Sequence, residues 1–156
     1  MRIYRDTRFS KDKTPYKTNI SGLFWEGAGK KTEHPAFGFQ LTANSIGLMA
    51  GIFGFPKPML TAYRAAVLDD KLGPALQEAI TAVTSNDQYE IIGEHYKRVP
   101  RGFDPEHSRA DLLRYNGLYA HPIQVNAELT SANLVDICMD HYQHMAPIQQ
   151  WLLHIN

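Results

Sequence analysis

Two groups of basic side chains, far apart in the sequence, have the residue types that bind anions. The first group consists of Arg5, Arg8, Lys11, Lys13 and Lys17, and the second of Lys97, Arg98 and Arg101. A planar guanidinium group grips phosphate or carboxylate oxygens in pairs, and a lysine ammonium adds a movable point charge. If the fold brings the two groups together, they repel one another unless an anion or acidic side chains lie among them. The sequence therefore predicts a binding site for a small molecule that carries phosphate or carboxylate.

Positive charge is concentrated around the first group. Residues 2–17, called here the first basic segment, hold six of the sixteen Lys and Arg residues but only two acids, Asp6 and Asp12. The segment has a formal charge of +4 in a chain whose net charge is zero. This overall neutrality argues against a protein that coats nucleic acid with its whole surface, because such a surface is basic throughout.

Three classes of function remain open on this evidence. The chain is an enzyme or binding protein for a small anionic ligand, or a nucleic-acid-binding protein that uses the same basic patch. The third class is a structural or interaction module, in which the arginines pair with the chain's own carboxylates and the lysines are only solvated. Residues 97–103 are called here the second basic segment. All three classes of function involve them.

Two residues near the basic segments could take part in proton transfer if the protein is an enzyme. Asp6 lies close to Arg5 and Arg8, so its pKa is expected to be lowered and it suits orienting an arginine better than acting as a general base. His107 lies beside Asp104 and Glu106 in a loop near Arg101, and it is the better candidate for proton transfer. A surface histidine without a role is the alternative for His107.

The sequence predicts no cofactor and no metal site. His141 and His144 are three residues apart on the last helix and could hold a metal together with Asp140, but no second motif supplies further ligands. We therefore expect His141 to be a hydrogen-bonded histidine of the core. Cys138 is the only cysteine, so no intramolecular disulfide can form, and its position in an apolar stripe predicts a buried, inert thiol.

Alternating side chains predict the elements that position the first basic segment. Residues 2–9 and 16–25 read as two strands joined by a polar loop, and residues 36–42 and 46–53 as two more strands that form a hairpin. Together the four strands form an antiparallel meander with one mostly apolar face. Arg5 shares a face of its strand with apolar residues, so it needs an anionic or hydrogen-bonding partner.

Helical periodicity takes over in the second half. Residues 58–84 predict two helices, the second of which begins at Gly73, and an extended segment over 88–99 then leads into the second basic segment. We expect Ser108 to cap a short helix, with Asp111 completing a pairing like a capping box.

The carboxyl-terminal third completes the predicted fold. Residues 121–125 predict a last edge strand, and residues 131–154 a long helix that Pro147 kinks or splits. The predicted class is α+β: an antiparallel sheet of four or more strands, covered on one face by helices, with a long C-terminal helix. The chain of 156 residues is expected to form a single domain, 1–156.

Two motifs resemble those of a known family. The run RDxRFSKDKTPYK from Arg5 to Lys17, followed by KRVPRGF at 97–103, is similar to the conserved hypothetical bacterial family known as domain of unknown function family 2461. The resemblance extends over residues 2–155. It implies no activity. Members of the family carry a helical region before the first strand, whereas this chain starts directly on that strand, so we expect a homodimer to hide the sheet surface left exposed.

The location is predicted from what the sequence lacks. Its first residues contain no apolar stretch of signal-peptide length. The longest apolar run, residues 46–55, is too short and too rich in glycine to cross a bilayer. The sequence therefore predicts a cytoplasmic protein with no membrane partner.

Overall fold

The computed structural model describes residues 4–6, 8–9, 11, 13–28 and 30–155. Within these residues the elements, in chain order, are β1 (Ile20–Trp25), β2 (Ala36–Leu41), β3 (Ile46–Ile52), α1 (Lys57–Leu68), α2 (Leu72–Thr84), β4 (Tyr89–Glu94), a 3₁₀ helix (Ala110–Arg114), β5 (Tyr115–Pro122) and α3 (Leu134–His154). The fold is α+β, as predicted.

The five strands form one antiparallel sheet in the order β1-β2-β3-β5-β4. The predicted hairpin over 36–53 is present, and its turn is closed by the Thr42 N–H, which donates to the Ser45 carbonyl at 2.8 Å. β5 lies between β3 and β4, so the prediction of an edge strand over 121–125 is wrong in both position and extent. The strand begins at Tyr115, and its buried residues Leu118 and Ala120 explain why it is central rather than peripheral.

Helices cover one face of the sheet. Side chains that alternate along the strands point to this face, called here the covered face; they include Leu48, Ala50 and Ile52 of β3 and Leu118 and Ala120 of β5. α3 packs on β3 and β5, α2 packs on α3 and β4, and α1 packs on α2. The opposite face, called here the open face, has no helix over it in the described part of the chain.

Hydrogen bonds across the core hold the helices in register. The Trp151 Nε1–H of α3 donates to the Leu72 carbonyl at the start of α2, at 2.9 Å. The Tyr63 hydroxyl of α1 donates to the Leu112 carbonyl of the 3₁₀ helix, also at 2.9 Å. Both aromatic side chains therefore bury their rings without leaving a polar atom unpaired.

The first predicted strand is largely wrong. Its described residues contribute only an isolated antiparallel bridge between Tyr4 and Tyr16, supported by the Arg5 N–H, which donates to the Pro15 carbonyl at 2.9 Å. The predicted positions 2, 3 and 7 lie outside the described residues. Tyr4 and Tyr16 are each 58% exposed, so little apolar burial is available to extend the bridge into a ladder. β1 accordingly begins at Ile20, where pairing with β2 begins.

Two other local expectations can be compared with the structure. α3 is a single helix of 21 residues with Pro147 inside it, so the proline does not split it. A proline inside a helix costs about 3 kcal/mol, and each large apolar side chain buried on either side contributes about 1.5–3 kcal/mol, which offsets that cost. Ser108 is not a cap, because the 3₁₀ helix starts later, with Arg109 at its N-cap position and no capping side chain.

No helix in the described part of the chain combines the length and the apolar character that a membrane span requires. The cytoplasmic location stays a prediction.

Candidate anion-binding site

Within the described residues of the first basic segment, one arginine is already paired. Arg8 donates from Nε to Asp6 Oδ1 at 3.0 Å and from Nη2 to Asp6 Oδ2 at 2.7 Å. This bidentate contact raises the pKa of Arg8. Arg5 Nη1 donates to Thr14 Oγ1 at 3.2 Å. Lys11, Lys13 and Lys17 are exposed.

The strand order separates the two basic segments. The first basic segment leads into β1 at one edge of the sheet, whereas the second basic segment follows β4 at the opposite edge. β1 and β4 run in the same direction, so the first segment joins the start of one strand and the second leaves the end of the other. β4 pairs with β5, so the condition that the fold brings the two groups together is not met by strand pairing. Each segment must therefore be judged by itself.

The second basic segment is anchored at both ends on a single arginine of α1. The guanidinium carbon of Arg64 lies 5.4 Å from the ring centroid of Tyr96 and 5.7 Å from that of Phe103. These distances are those of cation–π contacts. The residues on either side of the loop 97–102 therefore contact the same guanidinium group.

Local sequence explains the shape of this loop. Val99 packs against the core, and the Phe103 N–H donates to the Pro100 carbonyl at 3.4 Å, which closes a turn. Gly102 has φ of +92° at the third position of that turn, a conformation that glycine adopts without strain. Arg98 and Arg101 are exposed and form no hydrogen bond or ion pair with any residue that the structure describes.

Carboxylates near this loop are bound to a different arginine. Arg114 Nη2 lies 3.0 Å from Glu94 Oε1 and 3.3 Å from Asp111 Oδ1. Arg64 forms no ion pair within the described ranges, and its Nε is buried without a hydrogen-bond partner there. A half-buried guanidinium that contacts two aromatic rings and forms no ion pair with the described residues has the chemistry to bind an anion.

His107 and Arg109 follow the loop and have local partners. The Arg109 N–H donates to His107 Nδ1 at 3.0 Å, so in the neutral ring the proton lies on Nε2. The Arg109 side chain donates to the carbonyls that end α1, those of Val67 at 2.6 Å, Leu68 at 3.4 Å and Asp69 at 3.3 Å. Arg109 therefore holds the end of a helix through its Nε and Nη2 groups. The role of His107 in proton transfer stays a prediction, as does that of Asp6.

Two histidines of α3, His141 and His144, lie in a separate cluster on the covered face. His141 Nδ1 lies 2.8 Å from the Tyr89 hydroxyl, and His144 stacks on the Tyr89 ring at a centroid distance of 4.2 Å. His144 Nε2 hydrogen-bonds the Val83 carbonyl at 3.0 Å. Burial lowers the pKa of His141 and raises the pKa of the half-buried Cys138 thiol. Among the described residues no group of three or more His, Cys, Asp or Glu side chains is placed to hold a metal ion.

Sequence reasoning missed the central residue of the site. Arg64 follows Tyr63 directly and lies beside the apolar stripe that includes Met59 and Val67. An arginine at the edge of a buried stripe is a signal for a partly buried guanidinium, but the sequence alone does not show that Tyr96 and Phe103 reach it.

The geometry defines an α+β protein with a half-covered antiparallel sheet and a cationic loop anchored on a helix. The chain belongs to the family described as conserved hypothetical protein DUF2461, whose model matches residues 1–151. The family resemblance of the two motifs is thereby confirmed. No curated protein and no solved structure matches the chain significantly.

Proposed function

We propose that the protein binds a small anionic molecule, one that bears phosphate or carboxylate, at the second basic segment. Arg64 supplies the anchored charge, and Arg98 and Arg101 supply exposed charges from the loop that begins and ends on it. The observation that carries the proposal is the state of Arg64: it is stacked between two rings, and no carboxylate of the described residues neutralises it.

Stacking gives this arginine an energetic advantage over a freely rotating one. A guanidinium held by Tyr96 and Phe103 loses less side-chain entropy when it binds a ligand. Partial burial also strengthens its attraction for an anion, since water screens the charge less effectively. Arg5, Arg8, Lys11, Lys13 and Lys17 are the other proposed anion contacts, but Arg8 must share its charge with Asp6.

Thermal unfolding with inorganic phosphate tests the proposal. A ligand that binds the folded state raises the melting temperature, so phosphate should stabilise the wild type more than chloride at equal ionic strength. The Arg64→Met variant, which keeps an apolar stem between the rings, should lose this extra stabilisation. A double variant with Arg98→Gln and Arg101→Gln should weaken it.

The matched control is Lys57→Gln, which removes an exposed positive charge from the same helix as Arg64. It should keep the full response to phosphate, and so should His107→Gln. Equal responses in wild type and Arg64→Met, or no response in the wild type, would exclude an anion site at Arg64.

Nucleic-acid binding through the same patch is the alternative outcome. It predicts that a single-stranded oligonucleotide binds with a steep dependence on salt concentration, measured by fluorescence anisotropy at two ionic strengths. Tyr96 and Phe103 are already stacked with Arg64, which leaves their rings less available to bases. Oligonucleotide binding without any response to phosphate would replace the small-ligand proposal.

A further inference from the structure

The open face of the sheet holds a trough of about 640 Å³. Its lining comes from four neighbouring strands, β1, β2, β3 and β5, and from the connection between β1 and β2. Pockets that bind small molecules have volumes of roughly 300–1,000 Å³. The trough therefore has the size of a ligand site, and none of its lining residues belongs to the second basic segment or to Arg64.

Small residues keep the trough open between aromatic walls. A Cβ placed on Gly47 would have the Gln40 carbonyl oxygen at 3.9 Å as its sole neighbour within 4 Å among the described residues, so the space above this glycine is empty. Trp25 of β1 stands on one side, and Phe53 and Tyr119 stand on the other, in edge contact at 4.7 Å between ring centroids. A flat apolar or aromatic body matches a cleft of this shape.

Lys31 places a positive charge in the trough. His121 also lines it, and no Asp or Glu is among the described residues that do. His121 Nε2 lies 3.5 Å from Glu90 Oε2, whereas Lys31 forms no ion pair with any described residue. The neighbouring Lys30 is paired with Glu33 at 3.7 Å. A ligand in the trough would thus meet an uncompensated ammonium group at Lys31.

We propose that the trough is a second binding site, for a small molecule that combines an aromatic body with an acidic group such as a carboxylate or sulfonate. The aromatic body packs between Trp25 and the Phe53–Tyr119 pair, and the acid pairs with Lys31. The site is independent of the phosphate site proposed at Arg64, so either can fail without the other.

Fluorescence titration of the full chain with 8-anilinonaphthalene-1-sulfonate tests this site, because the dye has both an aromatic body and an acid. We expect saturable binding to the folded wild type. Gly47→Leu fills empty space and should weaken binding at least about tenfold, the loss expected when about 1.4 kcal/mol of contact is removed. Lys31→Gln should weaken binding several-fold, whereas Lys30→Gln, the matched control, should not.

A neutral dye, N-phenyl-1-naphthylamine, separates shape from charge. It should bind the wild type and Lys31→Gln equally, and it should lose affinity for Gly47→Leu. The neutral dye also provides a test if Gly47→Leu fails to fold. The affinities of Lys31→Gln and Lys30→Gln for the two dyes can be compared without that variant. Arg64→Met should leave both dyes unaffected.

Two outcomes would overturn the proposal. One is dye binding that neither Gly47→Leu nor Lys31→Gln alters, which would place the dye elsewhere. The other is a wild type that binds no dye and is a dimer by light scattering, with Gly47→Leu shifting it to monomer. That result would assign the open face to contact with a second copy of the chain and would support the predicted homodimer instead.

Discussion

The two faces of the sheet are built from the same strands but differ in what their side chains do. On the covered face Leu118 and Ala120 of β5 are fully buried and pack against the helices. On the open face the intervening residue Tyr119 lines a trough, and β3 contributes glycine at position 47. Side chains alternate along each strand, so those on the covered face stabilise the core and those on the open face border empty space. Changes made on the two faces should have very different consequences.

The largest difference is expected for leucine truncations. Leu118→Ala on the covered face should lower the free energy of unfolding by about 3–4 kcal/mol, because it leaves a cavity in the core. Leu23→Ala on the open face should cost only about 1 kcal/mol, since this side chain is already half-exposed. Urea denaturation of both variants measures the contrast, and similar losses would mean that the open face is buried in solution.

Two glycines of β3 on the open face differ in the space that a side chain would have there. Gly51 has φ of +132°, and a Cβ there would collide with the Leu118 carbonyl and lie 2.6 Å from Tyr119 Cα. We expect Gly51→Ala to cost about 2–3 kcal/mol of unfolding free energy through backbone strain. Gly47→Ala, on the same strand but beneath empty space, should change it little. If both substitutions were tolerated, β3 and β5 would not approach as closely as described.

Arg109 tests how the helices are held over the covered face. Arg109→Met keeps the apolar stem but removes the donors to the carbonyls at the end of α1, so it should cost about 2 kcal/mol in chemical denaturation. Arg101→Met is the matched control, because Arg101 is exposed and has no described partner. If Arg109→Met had the same free energy of unfolding as the wild type, the end of α1 would not need these hydrogen bonds.

The smallest expected effect is a pH dependence that originates on the covered face. Burial lowers the pKa of His141 in the folded chain, opposed by nearby Asp140 and assisted by His144. The unfolded chain then takes up a proton more readily below its ordinary pKa of about 6.5, so stability falls as pH drops through that value. The fall ends once His141 is protonated in the folded state as well.

Equilibrium unfolding between pH 7.5 and pH 5, a range of about one unit or more on either side of that pKa, measures this dependence. His141→Gln should flatten the profile. A wild-type profile that is already flat would show that His141 titrates alike in both states.

Local pattern predicted much of the fold. The strands at 36–42 and 46–53, the two helices within 58–84 and the long last helix all appear within a few residues of their predicted bounds. Each depends on the spacing of apolar side chains along one short stretch, which the sequence displays directly. The described residues of the stretch 2–9 do not form the expected strand. Their spacing alternates, but Tyr4 and Phe9 are exposed and gain no burial from pairing.

The sequence by itself determined the α+β class, most of the helices and strands, and the family, because these depend on side-chain periodicity and on contiguous motifs. Only the tertiary structure decided that β5 separates β3 from β4, that the two basic segments attach at opposite edges, and that Arg64 is clamped by Tyr96 and Phe103. Strand order and stacking are contacts between residues distant in sequence. Their partners are selected by packing of the whole core, and no local pattern of residues encodes that selection.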